Sequence, residues 1–270
     1  MAIDFHDRRN AGTYAAREAD HSWRRAIARL VNPTDLRVVD VGCGGGIYST
    51  TLAQMGATQV TGIDSSAQMV HDARHRAETA DIPAITFQQG SAEWTGLPDA
   101  CADLVLQRAL IHHLADPSVA FAEARRILKP GGTLLVQDRT MADVMVPASA
   151  QHLRGWFFEL FPRLVDVEAA RRPSGDEVDA WLREAGLAVV GHHRLSERRS
   201  TYANLQELNA DLRARTGRSI LHELTDEELT RLVDEICGNI ADSVSDGEPI
   251  HEIDHWTVWE ARKDNEEAPA

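Results

Sequence analysis

Residue types able to do chemistry gather in a few short stretches of this 270-residue chain. Across residues 37–50, RVVDVGCGGGIYST, a β-branched run passes through Asp40 and meets Gly42, Gly44, Gly45 and Gly46, four glycines within five positions. Without a Cβ, glycine takes positive φ readily and lets a ligand come to van der Waals distance, and each one costs entropy in the unfolded chain. The helix expected from about Ile47 through Met55 would turn its unpaired N–H groups and positive dipole end toward whatever lies over the loop. The stretch therefore reads as a buried strand turning into a helix over a small-molecule cofactor. A tight turn with no ligand would leave the glycines, Asp40 and the later Asp64 without a purpose. The pair His112-His113 adds an imidazole able to take a proton from an oxygen, a nitrogen or an acidic carbon, and it equally suits packing or a local hydrogen bond. His192-His193 and His251 with His255 resemble metal ligands, but 12 histidines scattered through an acidic chain produce such pairs by chance. No helix or strand reading converges three of them, so no metal is expected.

These groups need elements to hold them. Residues 1–12 are polar, with His6 and Tyr14 able to fold back over a ligand. Ala15, Ala19, Trp23, Ala26, Ile27 and Leu30 fall at helical spacing and predict a helix over 14–31, joined to the first strand through the turn signal Asn32-Pro33. A second strand, 59–63, ends in Asp64, and Ser65 with Gln68 has the form of a capping box for a helix buried along Met69, Val70, Ala73 and Ala77. The third strand is 85–89, followed by Gly90-Ser91-Ala92-Glu93. The fourth, 102–107, is apolar except at its C-terminal end, as a central parallel strand should be. Asp116-Pro117 supplies an N-cap and a first-turn proline for a helix with apolar face Val119, Ala120, Phe121, Ala124, Ile127 and Leu128. Lys129-Pro130-Gly131-Gly132 stops it before a fifth strand at 133–137. This alternation predicts a doubly wound, mostly parallel α/β sheet, with Asp40, Asp64, Ser91, Gln107 and Asp138 projecting at the carboxyl ends of the strands, where such sheets bind ligands.

Residues 151–167, QHLRGWFFELFPRLVDV, are rich in aromatics and predict a helical flap over a pocket, cover for the sheet edge, or a dimer contact. Ser174 and Glu177 box a helix over 174–185 that Gly186 stops, leading to a strand at 187–192. Two amphipathic helices follow at 202–215 and 225–240, a closing strand at 256–261, and a charged tail at 263–270. With no internal repeat, the expectation is one domain over 1–262, its core at 37–138 and its helical additions, a substrate lid, at 139–173 and 198–250.

Composition narrows the function classes. At 270 residues and 43% hydrophobic the chain can build one large α/β domain, or one domain with a substantial insertion. Its apolar runs are far short of a membrane span, and MAIDFHDRRN lacks the core of a signal peptide, so a cytoplasmic protein without membrane attachment is expected. Cys43, Cys101 and Cys237 are scattered, signalling neither a disulfide framework nor a zinc site. A formal charge of −14 would repel a phosphate backbone, so nucleic acid is not expected as a partner.

The blocks VVDVGCGGG (38–46), VTGIDSS (60–66), QGSAEWTGLPD (89–99), DLVLQRALIHHL (103–114) and RRILKPGGTLLV (125–136) together resemble the class I S-adenosylmethionine-dependent methyltransferases. Within that family the likeness is to the small-molecule branch, the group around the ubiquinone and menaquinone C-methyltransferases. The resemblance implies a Rossmann-like seven-stranded sheet with an antiparallel last strand and S-adenosyl-L-methionine as cofactor, released as S-adenosyl-L-homocysteine. It implies a small-molecule acceptor methylated on O, N or C, as in secondary metabolism, by a monomer or homodimer. Asp40, Gly42, Cys43, Gly44 and Gly46 would face the methionine part of the cofactor. Asp64, with Ser65 beside it, would accept hydrogen bonds from the ribose. Ser91, Ala92 and Glu93 would flank the adenine, and Gln107 with Arg108 would end their strand under the transferable methyl. His112 or His113 would be the catalytic base, where one is used. A nicotinamide-dependent oxidoreductase is the rival reading, though Ile47 stands where its GxGxxG turn needs a third glycine. A regulatory protein that keeps the cofactor and lacks an acceptor pocket is the other.

Overall fold

The computed structural model describes residues 19–215, 217–244 and 247–265. The expectations for residues 1–18, His6 and Tyr14 among them, and for the last five residues of the tail lie outside the described residues. The described chain divides into two compact units, one holding residues 139–173 and 196–256 and the other holding the remainder.

The larger unit is built on the sheet. Helix α1 (His21–Leu30) starts at Asp20, which accepts from the Ser22 amide, and buries Trp23 and Ile27. Strand β1 (Arg37–Val41), helix α2 (Ile47–Gln54), strand β2 (Gln59–Asp64), helix α3 (Ala67–Thr79), strand β3 (Ile85–Gln89) and strand β4 (Ala102–Arg108) then alternate as the periodicity predicts. Met69, Val70, Ala73 and Ala77 are the buried stripe of α3, but its N-cap is Ser66, accepting from the Met69 amide, one residue later than the expected Ser65. Helix α4 (Pro117–Ile127) is capped by Asp116 and turns Ala120, Phe121, Ala124 and Ile127 inward, leaving Val119 44% exposed, off the face assigned to it. Strand β5 (Leu128–Asp138) begins five residues earlier than expected; Ala102 pairs with Leu128 and Leu104 with Thr133, so the Lys129-to-Gly132 segment bulges out of the ladder. Proline cannot donate to a ladder and Gly131 sits at φ +75°, which explains why the bulge falls there.

Seven strands form one sheet in the order β3-β2-β1-β4-β5-β7-β6, with β6 at Ala188–Tyr202 and β7 at Ile250–Arg262. The pairs β1–β2, β2–β3, β1–β4 and β4–β5 are parallel, and β5–β7 is antiparallel from Thr133↔Arg262 to Asp138↔Thr257. Strand order therefore reverses between β1 and β4, whose ends meet at Val41↔Gln107. That is the switch point where an open sheet leaves a crevice. Val39, Val41, Val105, Phe121, Ile127, Leu134 and Trp259 belong to the core around the sheet.

The helical unit contains α5 (Met141–Val144), α6 (Arg154–Leu160), α7 (Arg163–Ala169), α9 (Leu205–Arg213) and α10 (Asp226–Ala241); α8 (Gly175–Glu184), with the Ser174–Glu177 capping box, belongs to the sheet unit. Phe157, Phe158, Phe161 and Leu164 pack with Leu208, Leu212, Leu232, Val233 and Ile236, so the aromatic segment supplies this unit's own core. Both late strands run longer than the sequence suggests because their helical-unit halves alternate charged residues inward. Buried Glu252 meets Arg218 at 2.5 Å and Arg199 at 3.3 Å, and Asp254 meets Arg139 at 2.5 Å. Among the described residues no helix is long and apolar enough to cross a membrane.

Candidate active site

The glycine loop leaves β1 in left-handed backbone, with φ of +75° at Gly42, +51° at Gly44 and +77° at Gly46, which caps α2. The Ile63 carbonyl accepts from both the Gly42 and Cys43 amides at 2.8 and 3.0 Å, and Arg76 Nε donates to the Gly45 carbonyl at 2.9 Å. A Cβ added at Gly42 would lie 2.9 Å from Leu110, and one at Gly46 would lie 2.9 Å from Phe87. One added at Gly44 or Gly45 would meet nothing within 4 Å. The loop is thus clamped on its inner side and open on its outer side, the shape of a cradle for a ligand approached by bare backbone. Asp64 reaches back to it: Oδ2 accepts from the Gly44 amide at 2.8 Å and Oδ1 from the Ser66 amide at 2.9 Å. Two N–H donors hold this half-exposed carboxylate at the rim, with acceptor capacity left for hydroxyl donors. Ser65 is exposed, its carbonyl taking a hydrogen bond from Gln89.

Under the loop, Asp40 is buried and accepts from Ser49 Oγ at 2.6 Å. Burial pushes its pKa up to about 6, against the Ser49 hydrogen bond and the charge of Arg108 and with help from Asp64. Because the folded value lies above the unfolded one, the proton binds more tightly in the native state. Ionising Asp40 therefore costs stability: the cost is nil below about pH 4, grows as pH rises and is complete above about pH 6. An Asp40→Asn variant, which keeps an acceptor for Ser49, is expected to be more stable than the parent at pH 7 by about 3 kcal/mol and no more stable at pH 4. Urea titrations at the two pH values read this; a variant weaker than the parent at both refutes a strained carboxylate. The same substitution is expected to weaken retention of a cationic ligand.

Ser91 and Ala92 follow β3 in a segment braced from α4. Thr95 donates its amide and hydroxyl to buried Glu123 at 2.8 and 2.5 Å, and Arg126 joins Glu123 at 2.7 Å to Asp99 at 2.5 Å. Ala92 is buried, Ser91 half-buried and Glu93 exposed. Gln107 is buried with its Nε2 donating to the Ala120 carbonyl of α4 at 3.4 Å, so its side chain takes part in helix–sheet packing. In the 3-10 turn Ile111–His113, His112 Nδ1 lies 2.9 and 2.8 Å from the two oxygens of Asp138, which is wholly buried at the end of β5. With the proton assigned to Nδ1, the carboxylate orients the ring and leaves the Nε2 lone pair to accept a proton. Exposed His113 lies beside it, ring centroids 4.0 Å apart.

The structure thus gathers Asp40, the glycines, Cys43 and Asp64 at one turn, and adds groups that sequence reasoning left out. Ser49 and Tyr48 lie in α2 and Trp23 comes from α1, while Asp138, which the sequence places at a strand end, turns out to be the partner of His112. Helical spacing marked Trp23 only as core; its Nε1 donates to Gln137 Oε1 at 2.8 Å, a contact across 114 positions that no local pattern announces. The other histidine pairs singled out from the sequence have separate partners: His192 pairs with Asp179, His193 with Glu260, His251 with Thr201 and His255 with Ser196, and His255 also packs against His152 with ring centroids 5.3 Å apart. Among the described residues no three His, Cys, Asp or Glu side chains form a metal cluster.

A family profile described as a methyltransferase domain matches residues 39–136. The chain is 35% identical over 176 residues to a ubiquinone biosynthesis O-methyltransferase of Pseudomonas paraeruginosa, covering 62% of this chain and 70% of that one. It is 33% identical over 154 residues to the 27-O-demethylrifamycin SV methyltransferase of Amycolatopsis mediterranei, covering 56% and 53%. It spans 65% or less of the length of the first curated relatives it matches. In fold it is similar to a phosphoethanolamine N-methyltransferase of Haemonchus contortus, solved with phosphomonomethylethanolamine and S-adenosylhomocysteine, at a TM-score of 0.58 and 18% identity over 97% of this chain and 60% of that one. The open glycine cradle, the carboxylate hydrogen-bonded to it and the strand order agree with these likenesses: this chain belongs to the class I S-adenosylmethionine-dependent methyltransferases.

Proposed function

We propose that this protein transfers the methyl group of S-adenosylmethionine to a nucleophilic oxygen, nitrogen or carbon of a small-molecule acceptor. The observation that carries this reading is the 2.8 Å hydrogen bond from the Gly44 amide to Asp64, which brings an acidic strand end onto a loop whose outer face is open. The cofactor supplies an already activated sulfonium methyl, so alignment is the protein's main task, and positioning of this kind is worth about 7–11 kcal/mol in favourable cases.

Each part of the chain then has a role. Bare backbone at Gly42, Gly44 and Gly46 admits the amino-acid tail, and Asp40 accepts from its ammonium. Asp64 accepts from the ribose hydroxyls, while Ser91 and Ala92 line the adenine. Glu93, exposed, stands at the edge of that pocket. Ser65 contributes backbone beside the ribose, and buried Cys43 and Gln107 fill the floor and the flanking packing. His112, oriented by Asp138, accepts the acceptor's proton as the methyl arrives. Acceptor choice lies in residues 139–173 and 198–250, beyond the reach of the matched family profile. We place the protein in the cytoplasm as a monomer or homodimer, a reading supported by its acidity and by cysteines too scattered for an oxidised framework.

Calorimetry with S-adenosylhomocysteine tests the core of this reading. Asp64→Ala is expected to weaken binding by about 1.5–3 kcal/mol, the worth of a hydrogen bond to a charged group. Unchanged affinity removes Asp64 from the site, and a parent protein that retains neither S-adenosylmethionine nor its product overturns the function.

A further inference from the structure

We infer that Arg108, its guanidinium carbon held over the ring of Tyr48, recognises the carboxylate of the cofactor's amino-acid tail and makes the site selective for ligands that carry one. This assignment rests on the function proposed above. An amino-acid tail is a zwitterion, so a site that recognises it whole needs a charge of each sign at the loop. Asp40 is the acid. Arg108 ends β4, one residue past the Val41↔Gln107 pair that joins it to β1, and its charge is felt at Asp40. The cation needed for the carboxylate therefore stands at the same switch point as the acid suited to the ammonium.

The guanidinium is fixed there by a stack drawn from four elements. Its carbon lies 3.9 Å from the centroid of Tyr48, the second residue of α2. Trp23 of α1 packs edge-on against Tyr48, centroids 4.8 Å apart and planes at 61°, and is itself tied to Gln137 of β5. Stacking engages the face of a guanidinium, whereas a carboxylate is bound along its edge by parallel N–H donors, so one side chain can serve both contacts. Lysine cannot reproduce that pairing. The resemblance set Arg108 under the transferable methyl, but a cation directly beneath a sulfonium is repelled by it. The tail carboxylate is the one negative group of the cofactor, and it is where a fixed guanidinium gains most.

The test compares S-adenosylmethionine with its decarboxylated analogue, which keeps the adenosyl group, the sulfonium and the amine. Calorimetry on the parent protein is expected to show a preference for S-adenosylmethionine of about 10- to 100-fold, the range of a charged bidentate hydrogen bond. Arg108→Ala is expected to erase the preference by weakening S-adenosylmethionine alone, leaving the decarboxylated analogue unchanged or tighter. Arg108→Lys restores part of the preference, and Tyr48→Leu, which removes the platform, reduces it. Thermal melts of all variants accompany the titrations; should Arg108→Ala not fold, Arg108→Lys and Tyr48→Leu carry the comparison. A parent that binds both ligands alike overturns the assignment, as do variants that weaken both by one factor. A parent that binds neither overturns the proposed methyltransferase function instead, and the assignment with it.

Discussion

Replacing His112 by alanine is expected to slow methyl transfer to a hydroxyl acceptor by about 10²- to 10⁴-fold, the usual worth of a positioned general base, with affinity for S-adenosylhomocysteine unchanged. The reasoning starts from Asp138. Its carboxylate has no exposed surface, and both of its oxygens lie within 2.9 Å of His112 Nδ1. A buried carboxylate in that geometry fixes the ring plane, favours the Nδ1–H tautomer and offsets the positive charge that develops when Nε2 takes a proton. Asp138→Asn, similar in shape, is expected to lower kcat while leaving KM for the cofactor alone, since an amide neither favours that tautomer nor balances an imidazolium. A hydroxyl nucleophile needs the proton removed, so the loss should be largest there and smaller with a neutral amine. His113→Ala serves as control because His113 is exposed and its neighbour holds the carboxylate. A fall of under about threefold with His112→Ala on a hydroxyl acceptor assigns the dyad to packing.

Glu168→Ala is expected to destabilise the protein by about 3–5 kcal/mol, because it removes the acid at the centre of a buried ionic cluster. Glu168 has no exposed surface and meets Arg154 at 2.8 Å, Arg171 at 2.8 Å and Arg172 at 3.1 Å; Arg154 and Arg172 are themselves buried. Burial pushes its carboxyl pKa up, but the guanidiniums of Arg154, Arg172 and Arg171 outweigh that and hold it at about 2. The folded value lies below the unfolded one, so the ion contributes stability above about pH 4.5 that is lost as pH falls toward 2. The parent should therefore lose stability across that window, and the alanine variant should lose less of it, in urea titrations at stepped pH. Glu168→Gln, which keeps hydrogen-bonding capacity, should fall between the two. A loss below about 1 kcal/mol for Glu168→Ala at pH 7 means water already screens the cluster.

Much of the site could be read before any coordinates because its signals are local. The strand leading into the glycine loop, the start of α2, the stripe of α3 and the caps Asp116 and Ser174 each depend on residues within one or two turns. Sequence and structure differ by one residue where two adjacent side chains carry the same chemistry, as with Ser65 and Ser66. They differ by more where charged residues occupy the inward positions of a strand. The early half of β7 turns Glu252 and Asp254 inward, which a hydrophobic alternation rule reads as loop, and only their partners Arg139, Arg199 and Arg218 make that burial affordable.

What the chain determined by itself was the βα alternation, the left-handed glycine turn and the positions of Asp40 and Asp64 at strand ends, since φ preference, periodicity and capping act over a few bonds. Partnership was decided only in three dimensions. Asp138 holding His112, Trp23 reaching Gln137, Tyr48 lying beneath Arg108 and Glu168 gathering three arginines each join residues brought together by strand order or helix packing. Electrostatics and hydrogen bonding depend on distance in space, and distance in space is set by which strands become neighbours, a choice that no single stretch of sequence contains.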